Sequence, residues 1–96
     1  MADLEIDPVA GTVKRAGRAI DLTRTEFALL RQLAEHSGET ISRTELLKAV
    51  WGIDFDPGTN VVDVHIRRLR LKVDEPFDRP LIHTVRGSGY ALAARG

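Results

Sequence analysis

There is no cysteine among the 96 residues. Disulfides, thiolate metal sites and cysteine nucleophiles are excluded together, and the chain suits a reducing compartment. Net charge is also missing: 14 Lys and Arg balance 14 Asp and Glu. A sequence-blind coat for nucleic acid would be basic all over, so that class is excluded while a specific reader is not. No apolar stretch approaches the roughly 20 residues of a membrane span, and no signal peptide opens the chain. The expectation is a cytoplasmic protein of one domain, residues 1–96, with no membrane partner. Internal repeats and low-complexity tracts are absent as well.

Catalytic and metal signatures are equally scarce. His36, His65 and His83 are scattered and form no H-x-x-x-H pair. Asp54 and Asp56 followed by Pro57-Gly58 make a poor calcium loop, because the glycine falls fifth rather than sixth and His65 stands where a glutamate is needed. Ser88 lies in Gly87-Ser88-Gly89, which is not the strand-to-helix elbow of a nucleophilic serine. No Walker-type glycine loop is present. The chain reads as neither an enzyme nor a metal or cofactor binder.

What is present is an uneven placement of charge. Residues 1–50 hold eight acids and seven bases, whereas residues 64–73 hold four bases and no acid, and Arg79, Arg86 and Arg95 follow. The field belongs to the C-terminal third. Residues 60–73 read as a helix with two faces. At about 100° per residue, Val62, Ile66, Leu69 and Val73 share one stripe suited to a core. Asn60, Val64, Arg67, Arg68 and Leu71 lie opposite, with Arg70 and Lys72 on the flanks. A helix about 10–12 Å across, apolar behind and arginine-rich in front, fits the major groove of B-DNA.

The rest of the chain supplies a frame for that helix. Leu4 and Ile6 alternate with Glu5 and Asp7; Pro8 to Gly11 is a turn; Thr12 to Arg15 and Arg18 to Leu22 flank a turn at Ala16-Gly17. This predicts a small antiparallel sheet of three or four strands. Thr23-x-x-Glu26 and Ser42-x-x-Glu45 are capping boxes before apolar runs, and Gly38 and Gly52 end the two helices they start. Residues 53–59 are a loop. The arginine helix begins at Thr59 or Asn60 and stops at Asp74-Glu75-Pro76. Leu81 to Arg86 and Tyr90 to Ala93 are hairpin arms about Gly87-Ser88-Gly89. The order of small sheet, three helices and hairpin is an α+β winged helix-turn-helix, with the third helix as reader and the hairpin as wing. Phe27, Trp51, Phe77 and Tyr90 are most simply core residues rather than base-stacking groups.

Four segments carry a resemblance. Leu22-Thr23-x-x-Glu26-Phe27-x-Leu29-Leu30, Ser42-Arg43-x-x-Leu46-x-x-x-Val50-Trp51, Val61-Val62-Asp63-Val64-His65-Ile66-Arg67-Arg68-Leu69-Arg70-x-Lys72 and Leu81-Ile82-His83-Thr84-Val85-Arg86-Gly87-x-Gly89-Tyr90 resemble, in that order, the effector domain of OmpR/PhoB-type response regulators. The likeness runs over about residues 4–93. Asn60 to Val64 and Lys72 to Phe77 resemble the subgroup that answers heavy metals, copper in particular. Family members normally carry an N-terminal phospho-accepting receiver domain, and this chain is read as the DNA-binding half of such a regulator, with Met1 introduced as a start.

The residues and the resemblance together nominate sites. Arg67 and Arg68 suit guanine O6 and N7, Val64 suits a thymine methyl, and Asp63 suits a cytosine amine or an i,i+4 pair with Arg67. Arg86, before the wing turn, suits a narrow minor groove. Arg43 and Thr44 at a helix start, Asn60, Arg70, Lys72 and Thr84 are the expected phosphate contacts; Asn60 stands where many relatives have arginine. The resemblance implies further partners: promoter DNA bound as tandem direct repeats by copies placed head to tail, the receiver domain and a sensor histidine kinase of the phosphorelay. It also implies RNA polymerase, touched through Ile53, Asp54, Phe55 and Asp56 in the loop from Trp51 to Thr59. The isolated domain is expected to be monomeric. The competing reading is a winged-helix module that docks a protein without specific DNA binding; such a module would show apolar anchors where this helix shows arginines.

Overall fold

The computed structural model describes residues 3–77 and 79–94; Met1 and Arg95 lie outside them. Strands β1 (Leu4–Asp7), β2 (Thr12–Arg15) and β3 (Arg18–Ile20) form an antiparallel sheet in that order. Their register brings Ile6, Val13 and Ile20 side by side on one face. Ala16 takes a positive φ of 52° and Gly17 one of 78°, which lets two residues turn the chain between β2 and β3.

Helix α1 (Arg24–Glu35) opens on the capping box its sequence announces. Thr23 Oγ1 accepts from the Glu26 amide at 3.2 Å, and Glu26 Oε1 accepts from the Thr23 amide at 2.9 Å. Helix α2 (Arg43–Leu46) forms only half of its box. Ser42 Oγ accepts from the Glu45 amide at 3.1 Å, and the Glu45 carboxylate takes the Ser42 hydroxyl instead of its amide. The helix then widens into a π-helical turn over Leu47–Trp51 and ends at Gly52, whose φ of 70° is the left-handed cap expected of glycine.

Helix α3 (Val61–Val73) buries the stripe read from its periodicity: Val62, Ile66, Leu69 and Val73 are 2% exposed or less. They meet Leu29, Leu30 and Leu33 of α1 in one core cluster, which Leu46, Leu81 and Leu92 extend. Phe27 and Trp51 pack partly against this cluster, and Tyr90 lies within it. Phe77 is half-buried, with the Arg15 and Arg18 guanidinium groups 5.0 and 5.6 Å from its ring centre.

Strands β4 (Ile82–Val85) and β5 (Gly89–Leu92) form the hairpin, with Arg86, Gly87 and Ser88 at its turn. Gly89 therefore belongs to a strand rather than to the turn, and it is needed both for its positive φ of 145° and for close approach. The Ile41 amide donates to the Tyr90 carbonyl at 2.8 Å and the Tyr90 amide to the Ile41 carbonyl at 3.0 Å, so the residue before the α2 N-cap pairs with β5. A Cβ on Gly89 would lie 2.0 Å from the Ile41 carbonyl oxygen.

The joint between α3 and β4 is built on a buried ion pair. Arg15 of β2 is 1% exposed and Asp74 is 6% exposed. Arg15 Nη1 donates to Asp74 Oδ1 at 3.0 Å and to the Val73 carbonyl, and Nη2 donates to the Arg79 carbonyl. Asp74 also accepts from the amides of Leu81 and Ile82, each at 3.0 Å. Asp74, Glu75 and Pro76 end α3 where the sequence places its stop.

Candidate nucleic-acid interface

Because the apolar stripe of α3 is buried, its opposite face must be presented to solvent. Asn60, Val64, Arg67, Arg68 and Leu71 are all exposed. Among the described residues neither Arg67 nor Arg68 has a hydrogen-bond or ion-pair partner, so both guanidinium groups are available. Val64, 41% exposed, lies one turn N-terminal to them, and Leu71, 54% exposed, one turn C-terminal.

The two flanking cations are engaged in opposite directions. Arg70 reaches toward the wing, where Nη2 donates to Thr84 Oγ1 at 2.6 Å and Nε to the Ile82 carbonyl at 3.2 Å. Its guanidinium carbon also lies 5.7 Å from the centre of the Tyr90 ring. Lys72 reaches toward α1, where Nζ donates to Glu26 Oε1 at 2.7 Å. Burial pushes the Glu26 pKa up, but the hydrogen bonds from Lys72 and Thr23 outweigh it and hold the carboxyl below its usual range. The lysine expected to grip phosphate thus completes the N-terminal cap of α1, and the face bearing Arg67 and Arg68 carries fewer mobile cations than a count of residues 64–73 implies.

Asp63 is bound neither to Arg67 nor to solvent alone. Its Oδ1 accepts from Arg43 Nε at 2.9 Å and from the Tyr90 hydroxyl, joining α2, α3 and β5 at one oxygen. The i,i+4 pair with Arg67 gives way to this contact across the fold. Burial raises the Asp63 pKa, yet the Arg43 and Tyr90 bonds pull it below the usual range. Burial and the Asp63 bond push the Tyr90 phenol up. The bond to Asp63 pushes the Arg43 guanidinium up. Sequence reasoning missed this triad because its members are 20 and 27 residues apart and share no local pattern.

Arg43 and Thr44 are exposed in the first turn of α2, Thr84 is exposed on β4, and Arg86 is exposed at the wing turn. In the connection before α3, Asp54, Phe55 and Asp56 are exposed, Phe55 at 69%. Asp56 Oδ1 accepts from the Gly58 amide at 2.9 Å, which shapes the turn. Ile53 differs from its neighbours: it is half-buried and packs against the core, so its side chain anchors the loop rather than presenting it. Among the described residues, no group of three His, Asp or Glu side chains is placed to hold a metal ion.

The arrangement is an exposed cationic helix face flanked by an exposed arginine on a hairpin, the elements that contact the major groove and adjacent DNA in winged helix-turn-helix proteins. The chain matches known proteins in sequence and in fold. The family model described as "Transcriptional regulatory protein, C terminal" matches residues 17–92. Over 95 residues, 99% of the chain, the sequence is 47% identical to the transcriptional regulatory protein PcoR of Escherichia coli, covering 42% of that protein. The chain thus spans about two-fifths of the length of the curated relatives it matches. The DNA-binding domain of CpxR from E. coli superposes with a TM-score of 0.87 at 34% identity, covering 100% of this chain and 95% of that one. The DNA-binding domain of RstA from Klebsiella pneumoniae, solved in complex with the RstA box, superposes with a TM-score of 0.86 at 39% identity, covering 95% and 91%. The chain belongs to the family of transcriptional regulatory protein C-terminal domains, the DNA-binding effector domains of OmpR/PhoB-type two-component response regulators.

Proposed function

We propose that residues 1–96 act as one winged-helix domain that reads promoter DNA by sequence, with α3 in the major groove and the wing turn at the minor groove. The observation that carries this reading is the pair of unengaged arginines, Arg67 and Arg68, on the outward face of a helix whose other face is locked into the core. Arginine pairs with guanine O6 and N7 in two hydrogen bonds. Val64 meets a thymine methyl. Asp63 has Oδ1 held by Arg43 and Tyr90, which leaves Oδ2 to accept from a base amine. Arg86 enters the minor groove. Arg43, Thr44, Asn60 and Thr84 touch phosphates, and Arg70 steadies Thr84 there. Lys72 belongs to the fold.

In the full-length regulator a receiver domain and its sensor histidine kinase control this output in the cytoplasm, and the effector domain binds tandem direct repeats with copies head to tail. The resemblance over Asn60–Val64 and Lys72–Phe77 points to a heavy-metal signal upstream. Asp54, Phe55 and Asp56 contact RNA polymerase; replacing both aspartates by asparagine lowers transcription while DNA affinity is unchanged, and unaltered transcription removes that contact from the model.

The deciding experiment is fluorescence-anisotropy binding to a randomised duplex pool and to the sequences enriched from it, across a salt series. Enrichment of a tandem repeat, with log K falling linearly in log salt, supports the reading. Absence of binding even at low salt refutes it and favours protein docking.

A further inference from the structure

The Arg15–Asp74 pair presents a puzzle that core stability does not answer. A buried ion pair loses about as much in desolvation as it gains in attraction, and apolar replacements of similar volume are often neutral or better. What the pair does here is geometric. Between the reader helix and the wing, the described residues, 74–77 and 79–81, form no regular element. Both ends of that segment converge on the same two side chains. Arg15 takes the last carbonyl of α3, at Val73, and the Arg79 carbonyl. Asp74 takes the amides of Leu81 and Ile82, where the first wing strand begins. Arg15 itself is anchored in β2, in the three-stranded sheet. The base of the wing is therefore referred to the N-terminal sheet and to the end of the reader helix at a single point.

The lever is long enough to matter. A strand rises about 3.3 Å per residue, so Arg86, four residues beyond Ile82, lies roughly 13 Å from the pivot, and a tilt of about 10° moves it by roughly 2 Å. A displacement of that size exceeds the tolerance of a hydrogen bond. Other tethers act as well: Ile41 holds β5 through Tyr90, and Arg70 holds β4 at the Ile82 carbonyl and at Thr84, but neither reaches the N-terminal sheet, which only Arg15 among these residues joins to the wing base.

We propose that Arg15 and Asp74 are positioning residues for DNA binding, setting the angle between reader helix and wing so that Arg67, Arg68 and Arg86 engage one duplex together. Neither residue touches DNA. The inference rests on the minor-groove role given to Arg86 above, and its test separates the two.

The double variant Arg15→Met/Asp74→Asn leaves no lone buried charge and is chosen so that the chain folds, which a thermal melt verifies before binding is measured. Its affinity for the enriched duplex is expected to fall about tenfold. In an Arg86→Ala background the same double change is expected to cost less than twofold, whereas in an Arg68→Ala background it keeps its full effect. An equal loss in all three backgrounds would overturn the proposal, since a general weakening of the fold does not depend on Arg86. If Arg86→Ala alone costs nothing, the minor-groove reading falls, and a second measurement still judges the pair. The absence of native cysteine allows nitroxide labels at Ser88→Cys and Glu35→Cys only. Their distance distribution is expected to shift or broaden in the double variant without DNA, and an unchanged distribution would equally overturn the proposal.

Discussion

Arg67, Arg68, Arg70 and Lys72 carry the same charge on the same helix, and what separates them is what each already holds. Arg67 and Arg68 hold nothing among the described residues, so a base edge or a phosphate meets them without first displacing a partner. Arg68→Ala is expected to weaken binding by about 1–3 kcal/mol and to relax preference at one base pair; equal loss on every sequence, measured by competition between duplexes, would reassign it to phosphate. Lys72 holds Glu26. Its removal is expected to leave the salt slope of DNA binding unchanged and to lower stability by about 1 kcal/mol or less, because the ammonium is partly exposed and screened. A slope reduced by about one unit would put Lys72 back on the DNA. Acid sensitivity follows from the two engaged carboxyls. Glu26 and Asp63 fold with pKa values below their ordinary 4.5 and 3.8. A depressed carboxyl contributes stability that is fully present above its ordinary value and lost as pH falls through the folded value. Denaturant midpoints should therefore be insensitive to these two groups between about pH 6 and 7, with the loss setting in below about pH 5 and growing as the pH falls further.

At the scale of elements, the helices and the hairpin were legible because each carries its own signal. The stripe Val62, Ile66, Leu69, Val73 predicts both the existence of α3 and which face it buries, and the burial of the four agrees. Thr23 and Glu26 predict the start of α1 atom for atom. The signals fail where an element depends on a distant partner. Ser42-x-x-Glu45 promises a full capping box and delivers half of one, and nothing local announces the π-helical turn at Leu47–Trp51. Gly89 reads as a turn glycine from its neighbours Gly87 and Ser88, yet it is required by a carbonyl 48 positions away, at Ile41. Gly89→Ala is accordingly expected to destabilise by about 3 kcal/mol, through the strain of its positive φ of 145° and, beyond that, the clash and the lost Ile41–Tyr90 pairing. Gly87→Ala meets no atom within 4 Å and pays only the strain of its positive φ of 74°, so it should cost about 1 kcal/mol. Equal thermal shifts in the two variants would contradict the close-approach role.

The whole molecule is electrically neutral but not uniformly so, and the fold sharpens that contrast. Arg15 is buried, and Arg43, Arg70 and Lys72 are each held by a partner within the fold, Arg43 while still exposed. Among the described residues, the arginines of the reading surface without a side-chain partner are Arg67, Arg68 and Arg86. A surface of this kind favours selective over indiscriminate binding. The isolated chain is expected to bind one repeat of its operator weakly and a tandem pair more tightly, because adjacent sites place two copies side by side. Sedimentation without DNA should show a monomer, and a stable dimer in free solution would count against DNA-templated pairing.

Residue order alone determined which segments become helices and strands, which stripe of α3 faces inward, and that its arginines face outward. Those properties are periodic and local: a helix repeats every 3.6 residues or so, a cap acts within one turn, and burial follows from the pattern of apolar positions. The tertiary structure decided which cations are spoken for. Lys72 reaching Glu26, Arg43 and Tyr90 converging on Asp63, and Arg15 gripping Asp74 link residues 20 to 59 positions apart. Hydrogen bonds of about 3 Å between such residues have no periodicity to read, because they exist only once packing has brought separate elements within reach.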